Sequence, residues 1–438
     1  MNYLNQIIGL SMLFTWMPVC EGQCRLKAAV GQVKNILKDD VRFCISQCLQ
    51  LTGVGKEECT FNATTGKIKG CDPRAQFRPS RFKVLCEFNY NWHIPTFLTK
   101  SRQSLCDIYI VPMATFNKST NLIEMRPESL QAVPLFLREA KIYGIKVTLA
   151  VGSIDDYIMH PKEFTRIAKN NELTTKFAQG LAQLVNNFNI DGITISWMWP
   201  GCPQGNCIQD VDKRSVSAFV RAVAAPLKVA SKTVIYHMNG VSVNVIMASG
   251  DYFSDILDVV DYFLLQAQTQ NSYLLGVTKF NFNLKETKEL IGDLKRKIKK
   301  SDELLPKIIL NTDPYYYSYE LIDSKEGKIG TTYVKTSKEI KERIGMVEWC
   351  KLIKDPTYNL VKSTETQNYA VRQKHLFIFD DYQSLRAKIE FVMGFGAGVG
   401  LYNTLADDFD GFCGCGNMPY LSLMVSLLKM DCEPLPCF

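Results

Sequence analysis

The run from residue 188 to residue 201 contains side chains that alternate along one predicted strand, and it bears directly on acid–base chemistry. Asp191-Gly192 leads into Ile193-Thr194-Ile195-Ser196-Trp197-Met198, and the run stops at Pro200-Gly201. Alternation of this kind predicts a strand whose two faces meet different environments. General acid catalysis on such a strand needs a titratable side chain. The thioether of Met198 has no titratable proton, so Met198 cannot serve as the acid.

The rest of the chain supplies the elements that would position this strand. Strands are predicted at Val84–Phe88, Asp107–Pro112, Lys146–Val151, Gly192–Trp197, Thr233–Met238, Val259–Leu265, Lys307–Asn311 and Gly398–Tyr402. Helical patterns lie between them at Pro127–Tyr143, Thr174–Phe188, Ser215–Ala225, Lys285–Lys300 and Ser384–Met393. This repeated alternation predicts an α/β fold, a (β/α)₈ TIM barrel. The alternative is an open doubly wound sheet, although no Gly-rich phosphate loop follows the first strand.

The run around Met198 closely resembles the signature strand of the family-18 glycoside hydrolases, the chitinases, which reads Asp-Gly-x-Asp-x-Asp-Trp-Glu-Tyr-Pro-Gly. The positions that match are Asp191, Gly192, Trp197, Pro200 and Gly201. The second and third acidic positions of the family are Thr194 and Ser196 here, and the catalytic Glu position is Met198. In the family that Glu protonates the leaving oxygen, and the preceding Asp orients the N-acetyl group of the substrate. The resemblance therefore implies chitinase ancestry with a degenerate catalytic motif.

Cysteine positions extend the resemblance, which covers roughly residues 82–414. Family members commonly bond the cysteines of the first two strands, which implies a Cys86–Cys106 disulfide. Cys350 and Cys413 match a second family disulfide. Cys202 and Cys207 lie close together after the signature strand and could form a small local bridge that the family does not generally have.

Two further segments resemble the family. The stretch from Tyr315 to about Phe379 is longer than an ordinary connection and resembles the small α+β insertion of many chitinases. The eighth strand matches in two registers that differ by two residues. The register we prefer puts Tyr402 in the place of the family's barrel-floor Trp, and the other puts Gly400 there.

The missing acids predict that the chain is not an enzyme. Losing general acid catalysis alone typically costs about 10²–10⁴ in rate. Asp155, Asp156 and Glu87 lie at predicted carboxyl ends of strands, where a relocated acid would have to stand. We interpret these three as solvated loop charges. The histidines show no nucleophile or metal spacing and are expected at the surface or the rim of the core; they are His93, His160, His237 and His375.

Glycan binding is the function that the resemblance favours. Non-catalytic relatives keep a groove of aromatic side chains that stack on sugar rings, and the candidates here are Trp92, Trp199 and Tyr402. Trp197 is expected in the core instead. The groove is eroded, because the family's Met-Thr-Tyr-Asp on the sixth strand is Gln266-Ala267-Gln268-Thr269. We therefore expect an inactive chitinase-like protein that binds chitin oligomers or other glycans. The alternative is a barrel reused as a signalling, immune-modulating or structural factor that binds a protein receptor and no sugar.

The amino terminus and the cysteine content predict a secreted, extracellular protein. The apolar run Ile7–Trp16 is too short to span a bilayer, and Cys20 and Gly22 offer a cleavage site. The alternative for this run is a buried helix. Fifteen cysteines are many for a cytosolic chain, and cleavage after Gly22 leaves an even number for pairing. The sequons at Asn62 and Asn117 predict glycosylation in such a chain.

These features together predict four parts. They are a signal peptide at 1–22, a Cys-rich module at 23–80 with a helix near 28–51, the barrel at 81–414 with an insertion near 315–379, and a Cys-containing tail at 415–438. No cofactor, metal, nucleic acid or membrane span is expected, since the net charge of +7 is modest and the corresponding motifs are missing. The basic run Lys295–Lys300 is expected to be a solvated helix face, with sulfated glycans or anionic membranes as the alternative partners.

Overall fold

A computed structural model provides the structure of the chain. It describes residues 61–62, 67–69, 80–88, 105–127, 130, 132–152, 159–197, 213–239, 251–266, 276–280, 282–323, 327–334, 343–362, 367–415, 417–429 and 432–433. The predicted signal peptide, the predicted helix near 28–51 and the Cys202–Cys207 bridge lie outside these residues.

Eight parallel strands close into a barrel. They are β1 (Lys83–Glu87), β2 (Ile108–Val111), β3 (Lys146–Val151), β4 (Gly192–Ile195), β5 (Thr233–Asn239), β6 (Tyr262–Gln266), β7 (Ile308–Thr312) and β8 (Gly398–Leu401). Each strand pairs with its neighbour in chain order, and β8 pairs with β1 to close the sheet. The predicted (β/α)₈ barrel is confirmed, and the open sheet is wrong.

Helices lie along the chain between the strands and after the last barrel strand. They are α1 (Ala132–Ile142), α2 (Pro161–Ala168), α3 (Asn171–Asn187), α4 (Lys213–Val229), α5 (Leu284–Lys297), α6 (Ser301–Leu304), α7 (Met346–Leu352), α8 (Tyr382–Met393) and α9 (Pro419–Lys429). Single 3₁₀ turns lie at Leu305–Lys307 and Thr404–Ala406. Local sequence explains α3: the side chain of Asn170 caps its amino end by accepting from Leu173 N at 3.0 Å. Phe177, Leu181 and Val185 recur every four residues and bury one face of that helix.

Aromatic side chains fill the layer between strands and helices. Trp197, just beyond β4, is 1% exposed. Its ring stacks on Phe164 of α2 at 5.3 Å and meets Phe219 of α4 edge-on at 5.7 Å. The predicted core position of Trp197 is confirmed.

Aspartates join pairs of strands at the amino end of the barrel. Asp107, Asp191 and Asp261 stand immediately before β2, β4 and β6. Their carboxylates accept from the backbone N–H groups of Val84, Val147 and Val234 at 2.7, 2.9 and 2.8 Å. Each aspartate N–H also donates to the carbonyl oxygen of the same valine. The aspartate of the signature strand is therefore one of three equivalent strand clamps.

Gly192 follows the clamp of β4 because no larger residue fits there. A Cβ atom at this position would lie 1.9 Å from the carbonyl oxygen of Thr233 on β5. The close approach of β4 and β5 thus explains the Asp-Gly pair at the start of the signature strand.

An antiparallel sheet interrupts the barrel between β7 and α8. Its strands, in spatial order, are Arg343–Ile344, Tyr316–Glu320, His375–Phe379, Asn368–Arg372 and Asn359–Val361. On one face, Trp349 of α7 stacks on Tyr316 at 4.8 Å. The other face buries a cluster that includes Tyr319, Leu376 and Ile378. A separate hairpin, Ala114–Asn117 with Leu122–Met125, follows β2.

Contacts divide the described residues into a unit at 82–407 and a second unit that holds the described residues up to 81 and from 408 onward. In the second unit, Phe61–Asn62, Lys67–Lys69 and Cys432–Glu433 form a small sheet. Across the part of the chain that the structure describes, no helix combines the length and apolarity needed to cross a bilayer.

The disulfides are described only in part. The predicted Cys86–Cys106 bond is confirmed, with a Cα–Cα distance of 5.9 Å. Cys350, Cys413 and Cys415 are each disulfide-bonded. The pairing of Cys350 with Cys413 stays a prediction.

Candidate functional site

The inward face of β4 presents small neutral side chains. Thr194 lies inside the barrel with its Oγ1 atom 2.9 Å from Oγ1 of Thr148 on β3, and both residues are 0% exposed. Ser196 follows on the same face and is 4% exposed. Met198, the next inward position by alternation, lies outside the described residues.

A row of polar side chains, here called the polar belt, crosses the barrel interior from β4 to β1; it comprises Ser196, His237, Gln266, Asn311 and Glu87. The Oγ atom of Ser196 lies 3.4 Å from Nδ1 of His237, and Nε2 of His237 lies 3.4 Å from Oε1 of Gln266. Asn311 Nδ2 donates to Gln266 Oε1 at 2.8 Å and to Glu87 Oε2 at 3.2 Å. His237, Gln266 and Asn311 are at most 1% exposed. Five strands are therefore joined by side chains at the carboxyl end of the barrel.

The amide nitrogen of Asn311 fixes the hydrogen-bond directions along the polar belt. An amide N–H only donates, so Asn311 donates to Glu87 Oε2 and to the amide oxygen of Gln266. That oxygen accepts from Nε2 of His237, which leaves Nδ1 to accept from the hydroxyl of Ser196. Burial lowers the pKa of His237 to about 4, although the hydrogen bond with Gln266 raises it. His237 is a neutral imidazole at ordinary pH.

The sequence-based prediction for this histidine was wrong. His237 is 0% exposed in the barrel interior and lies at neither the surface nor the rim of the core. Among the other histidines, His160 caps α2 by accepting from Lys162 N at 3.1 Å, and His93 lies outside the described residues. Alternate side chains along β5 face the barrel interior, and His237 is one of them. The sequence does not show which set faces inward, because this strand is buried on both faces and its hydrophobic pattern does not alternate.

Gly400 of β8 makes room for the polar belt. A Cβ atom at Gly400 would lie 2.6 Å from Oδ1 of Asn311 and 2.9 Å from Cδ1 of Leu264. The Asn311 side chain thus occupies the space beside β8, and Tyr402 is the next residue on the same side of the strand by alternation.

Tyr402 lies directly beyond β8. Its backbone N–H donates to the carbonyl oxygen of Thr312 at 2.7 Å, and the residue is only 3% exposed. A ring with so little exposure offers a small stacking surface, so its role as a glycan floor stays a prediction. Trp92 and Trp199, the other two candidates, lie outside the described residues, as do Asp155 and Asp156.

Asp313 is an acidic residue at the end of β7 that sequence reasoning missed. Its carboxylate accepts from Tyr317 Oη at 2.5 Å and from Tyr315 N at 2.9 Å. Burial raises the pKa of Asp313 to about 6, against the lowering effect of the Tyr317 hydrogen bond and the Arg343 charge. Arg343 also lies over the ring of Tyr315 at 4.9 Å. This cluster joins the end of β7 to the inserted sheet.

Within the described residues, Glu87 and Asp313 are carboxylates at the carboxyl ends of β1 and β7. Glu87 accepts from Asn311, and Asp313 accepts from Tyr317. Within the described ranges, no group of three or more His, Cys, Asp or Glu side chains is arranged to hold a metal ion.

A sequence model of the glycosyl hydrolases family 18 matches residues 88–407 of the chain. The chain belongs to this family. The matched range contains all of β2 to β8 and the inserted sheet, so family 18 accounts for the barrel and for the interruption between β7 and α8.

Known family members are distant in sequence and similar in fold. Probable chitinase 10 of Drosophila melanogaster is 21% identical over 387 residues, which are 82% of this chain and 16% of that protein. The chain therefore spans only about a sixth of that relative. Catalytic domain 2 of the Group II chitinase of Ostrinia furnacalis superposes with a TM-score of 0.69 at 19% identity, covering 82% of this chain and 99% of that one.

One relative of known structure is a human pseudo-chitinase. Human YKL-39, described as a pseudo-chitinase with retained chitooligosaccharide binding, superposes with a TM-score of 0.66 at 16% identity. The alignment covers 79% of this chain and 99% of the human protein. At such identities the likeness establishes the family-18 fold alone.

Proposed function

We propose that this chain is a secreted, catalytically inactive chitinase-like protein that binds chitin-type or other glycans at the carboxyl end of its barrel. The observation that carries the proposal is the neutral inward face of β4. Thr194 and Ser196 stand where the family resemblance places carboxylates, and their partners Thr148 and His237 are uncharged.

The chemistry of these residues supports inactivity. Hydrolysis needs a group that delivers a proton to the leaving oxygen, and a thioether at Met198 has none to deliver. The imidazole of His237 does not replace it, because its one proton points at Gln266 and the ring is 0% exposed. Loss of the acid alone lowers the rate by about 10²–10⁴. Ser196 replaces the family's aspartate, so the electrostatic support that this aspartate gives to the N-acetyl nucleophile is also missing.

Glycan binding draws support from two observations. A solved relative that is a pseudo-chitinase is described as retaining chitooligosaccharide binding. In this chain, Asp313 follows β7 and bonds Tyr317, and Glu87 ends β1, so hydrogen-bonding side chains are present at the carboxyl ends of these two strands. Ligand sites of (β/α)₈ barrels form at this end.

Secretion is supported by the covalent chemistry of the barrel. The Cys86–Cys106 disulfide ties β1 to the residues before β2. Such bonds persist in oxidising compartments and are rare in the cytosol. The predicted signal peptide at 1–22 and the sequon at Asn117 agree with that compartment.

Calorimetric titration tests the proposal together with a turnover assay. We expect heat of binding with chitin oligomers or with another oligosaccharide, and no turnover of a fluorogenic chitobioside. Turnover that disappears in Asp313→Asn or Glu87→Gln, and survives in the exposed control Asp255→Asn, would show an enzyme with a relocated acid. If no oligosaccharide produces heat, the alternative of a protein-binding factor replaces glycan binding.

A further inference from the structure

Positive charge is concentrated on α5 and on the residues that directly follow it. Residues 284–300 contain seven basic and three acidic side chains, a difference of +4, whereas the whole chain carries +7. Four exposed basic side chains form a row, here called the basic stripe: Lys285, Lys288, Lys295 and Arg296. At 3.6 residues per turn they project within about 100° of one another, on a side of α5 that turns away from its buried leucines.

The lysines of the basic stripe have no carboxylate partner within the described residues. All three form no ion pair there, and neither does the exposed Glu289 of the same helix. Asp293 pairs with Arg296 and with Lys297, whose Nζ atom lies 3.3 Å from its Oδ2 atom. The lysine charges are therefore available to a partner outside this part of the chain.

Helix stability explains only the carboxyl-terminal half of the basic stripe. Lys295 and Arg296 lie in the last turn of α5, where cations interact favourably with the helix dipole. Lys285 lies in the first turn, where the dipole disfavours a cation. Lys288 follows three residues later, and like charges at neighbouring helix positions repel. These two lysines therefore do not stabilise the isolated helix, and a negatively charged ligand would relieve their repulsion.

The middle of the basic stripe is open. A Cβ atom at Gly292 would meet only Nη1 of Arg296, at 3.2 Å, so no bulky side chain separates the two ends of the stripe. Nζ of Lys288 lies 5.7 Å from the ring centre of Phe391 on α8, which directs this ammonium group toward the border of the two helices. An extended ligand can therefore lie along α5 between Lys288 and Lys295.

We propose that the basic stripe binds an extended sulfated polysaccharide. The stripe spans about 15 Å of helix from Lys285 to Lys295. A chain with repeated negative groups can contact both ends at once, whereas a single small anion cannot. Sulfated polysaccharides are extracellular, and the Cys86–Cys106 disulfide supports that compartment.

The composition of α5 favours this class over other polyanions. The helix is described along its whole length and has no aromatic ring on which nucleic-acid bases could stack. It also exposes no large apolar side chain that could enter a bilayer. The inference goes beyond the glycan binding proposed above, because the basic stripe lies on a helix between β6 and β7 and not at the carboxyl ends of the strands.

Heparin is the probe for the direct test. The full chain should stay bound to immobilised heparin at about 0.15 M salt. Its affinity should fall at least about tenfold, with a weaker dependence on salt, in a triple variant that removes three charges of the stripe: Lys285→Gln, Lys288→Gln and Lys295→Gln. Gln has a helix propensity close to that of Lys, so this variant should fold. If it does not, Lys288→Gln alone should weaken binding by about threefold.

A matched control removes the same charge from other exposed positions. This second triple variant should bind heparin within about threefold of the unmodified chain, and it consists of Lys169→Gln, Lys176→Gln and Lys354→Gln. Equal losses in the two triple variants would overturn the inference, because net charge alone would then explain binding. Equal binding of desulfated heparin would overturn it as well, since the sulfate groups would not be recognised.

Three further outcomes would also contradict the basic stripe as a polysaccharide site. They are absence of binding to heparin, preferential binding to vesicles of phosphatidylserine and phosphatidylcholine, and release of heparin by excess chitotetraose. The last result would mean that the sulfated chain binds at the carboxyl end of the barrel. Failure of heparin binding leaves the proposed function intact, because calorimetry with neutral chitin oligomers tests that function separately.

Discussion

The carboxylate of Asp191 accepts a hydrogen bond from the backbone N–H of Val147 at 2.9 Å, while the N–H of Asp191 donates to the carbonyl oxygen of that valine at 3.0 Å. The residue that opens the signature strand therefore joins β3 to β4. Asp107 and Asp261 make the same pair of bonds with Val84 and Val234. The role of Asp191 in joining two strands therefore explains why this aspartate is present in a strand whose other acidic positions are Thr194, Ser196 and Met198.

Removing this clamp should destabilise the barrel. Asp191→Ala leaves the Val147 N–H without its acceptor, which should lower the free energy of unfolding by about 1–3 kcal/mol. Asp191→Asn should cost less, because an amide oxygen can still accept. Urea unfolding measures both, with the exposed Asp255→Ala as the control. Equal stability of Asp191→Ala and the unmodified chain would contradict the clamp.

A side chain at position 400 should lower the stability of the barrel. The Cβ atom of Gly400→Ala would meet Asn311 Oδ1 at 2.6 Å, and we expect destabilisation of about 1–3 kcal/mol from the forced displacement. Gly292→Ala is the control with the opposite sign, since its Cβ atom meets only the flexible end of Arg296 inside α5. Alanine should stabilise that helix by about 0.5–1 kcal/mol. Thermal unfolding distinguishes the two, and a neutral Gly400→Ala would show that Asn311 moves freely.

The pH dependence of stability should contain two opposing contributions. The pKa of His237 is lowered from 6.5 to about 4, so its contribution to stability is present above pH 6.5 and is lost as the pH falls toward 4. The pKa of Asp313 is raised from 3.8 to about 6, so its contribution has the opposite sign and stability rises as the pH falls from 6 toward 3.8.

Single variants separate these contributions. Relative to the unmodified chain, Asp313→Asn should lose more stability between pH 6 and pH 4, and His237→Gln should lose less. Urea unfolding at several pH values within that window is the measurement. Identical pH profiles for the two variants would contradict the burial of one or both groups.

A buried ion pair should contribute strongly to the stability of the chain at the junction between the inserted sheet and α8. Lys388 Nζ of α8 lies 2.6 Å from Oδ2 of Asp380, with side-chain exposures of 1% and 3%. Lys388 also sits 3.9 Å above the ring of Phe282. Lys388→Met leaves a buried carboxylate without its cation and should cost about 3–5 kcal/mol, whereas Lys388→Met with Asp380→Asn should cost less.

The control for the ion pair is on the same helix. Arg386 pairs with Glu390 at 2.7 Å, and both side chains are at least 36% exposed. Arg386→Ala should change stability by less than about 1 kcal/mol. A loss in Lys388→Met no larger than in Arg386→Ala would show that burial adds nothing to the Lys388–Asp380 pair.

Asn117 should carry a glycan when the chain passes through a eukaryotic secretory pathway. It ends the first strand of the hairpin after β2, and Ser119 Oγ donates to its side-chain oxygen at 2.6 Å across an exposed turn. One N–H of the Asn117 amide remains for Glu124 after a sugar is attached. Mass spectrometry of the proteolytic peptide that contains Asn117, before and after glycosidase treatment, should show a shift that is lost in both Asn117→Gln and Ser119→Ala. An unchanged mass of this peptide from the unmodified chain would contradict the prediction.

Local patterns in the sequence determined the architecture of this protein. Alternation and helical periodicity act over a few residues, so all eight strands were located to within about three residues at either end. The core position of Trp197 between strands and helices and the Cys86–Cys106 bond followed from the same strand assignments and from the family resemblance. The loss of the acids at Thr194, Ser196 and Met198 could also be read directly.

Only the tertiary structure decided what replaced those acids. His237, Gln266, Asn311 and Glu87 lie on four strands, and the contact between Asn311 and Glu87 spans 224 residues of sequence. No local pattern encodes such a contact, because it depends on the register in which parallel strands pair when the barrel closes. The three aspartate clamps and the space above Gly400 depend on the same register. Sequence alone therefore shows that three acidic residues of the family's signature strand are replaced, whereas closure of the barrel shows which polar side chains gather beside that strand.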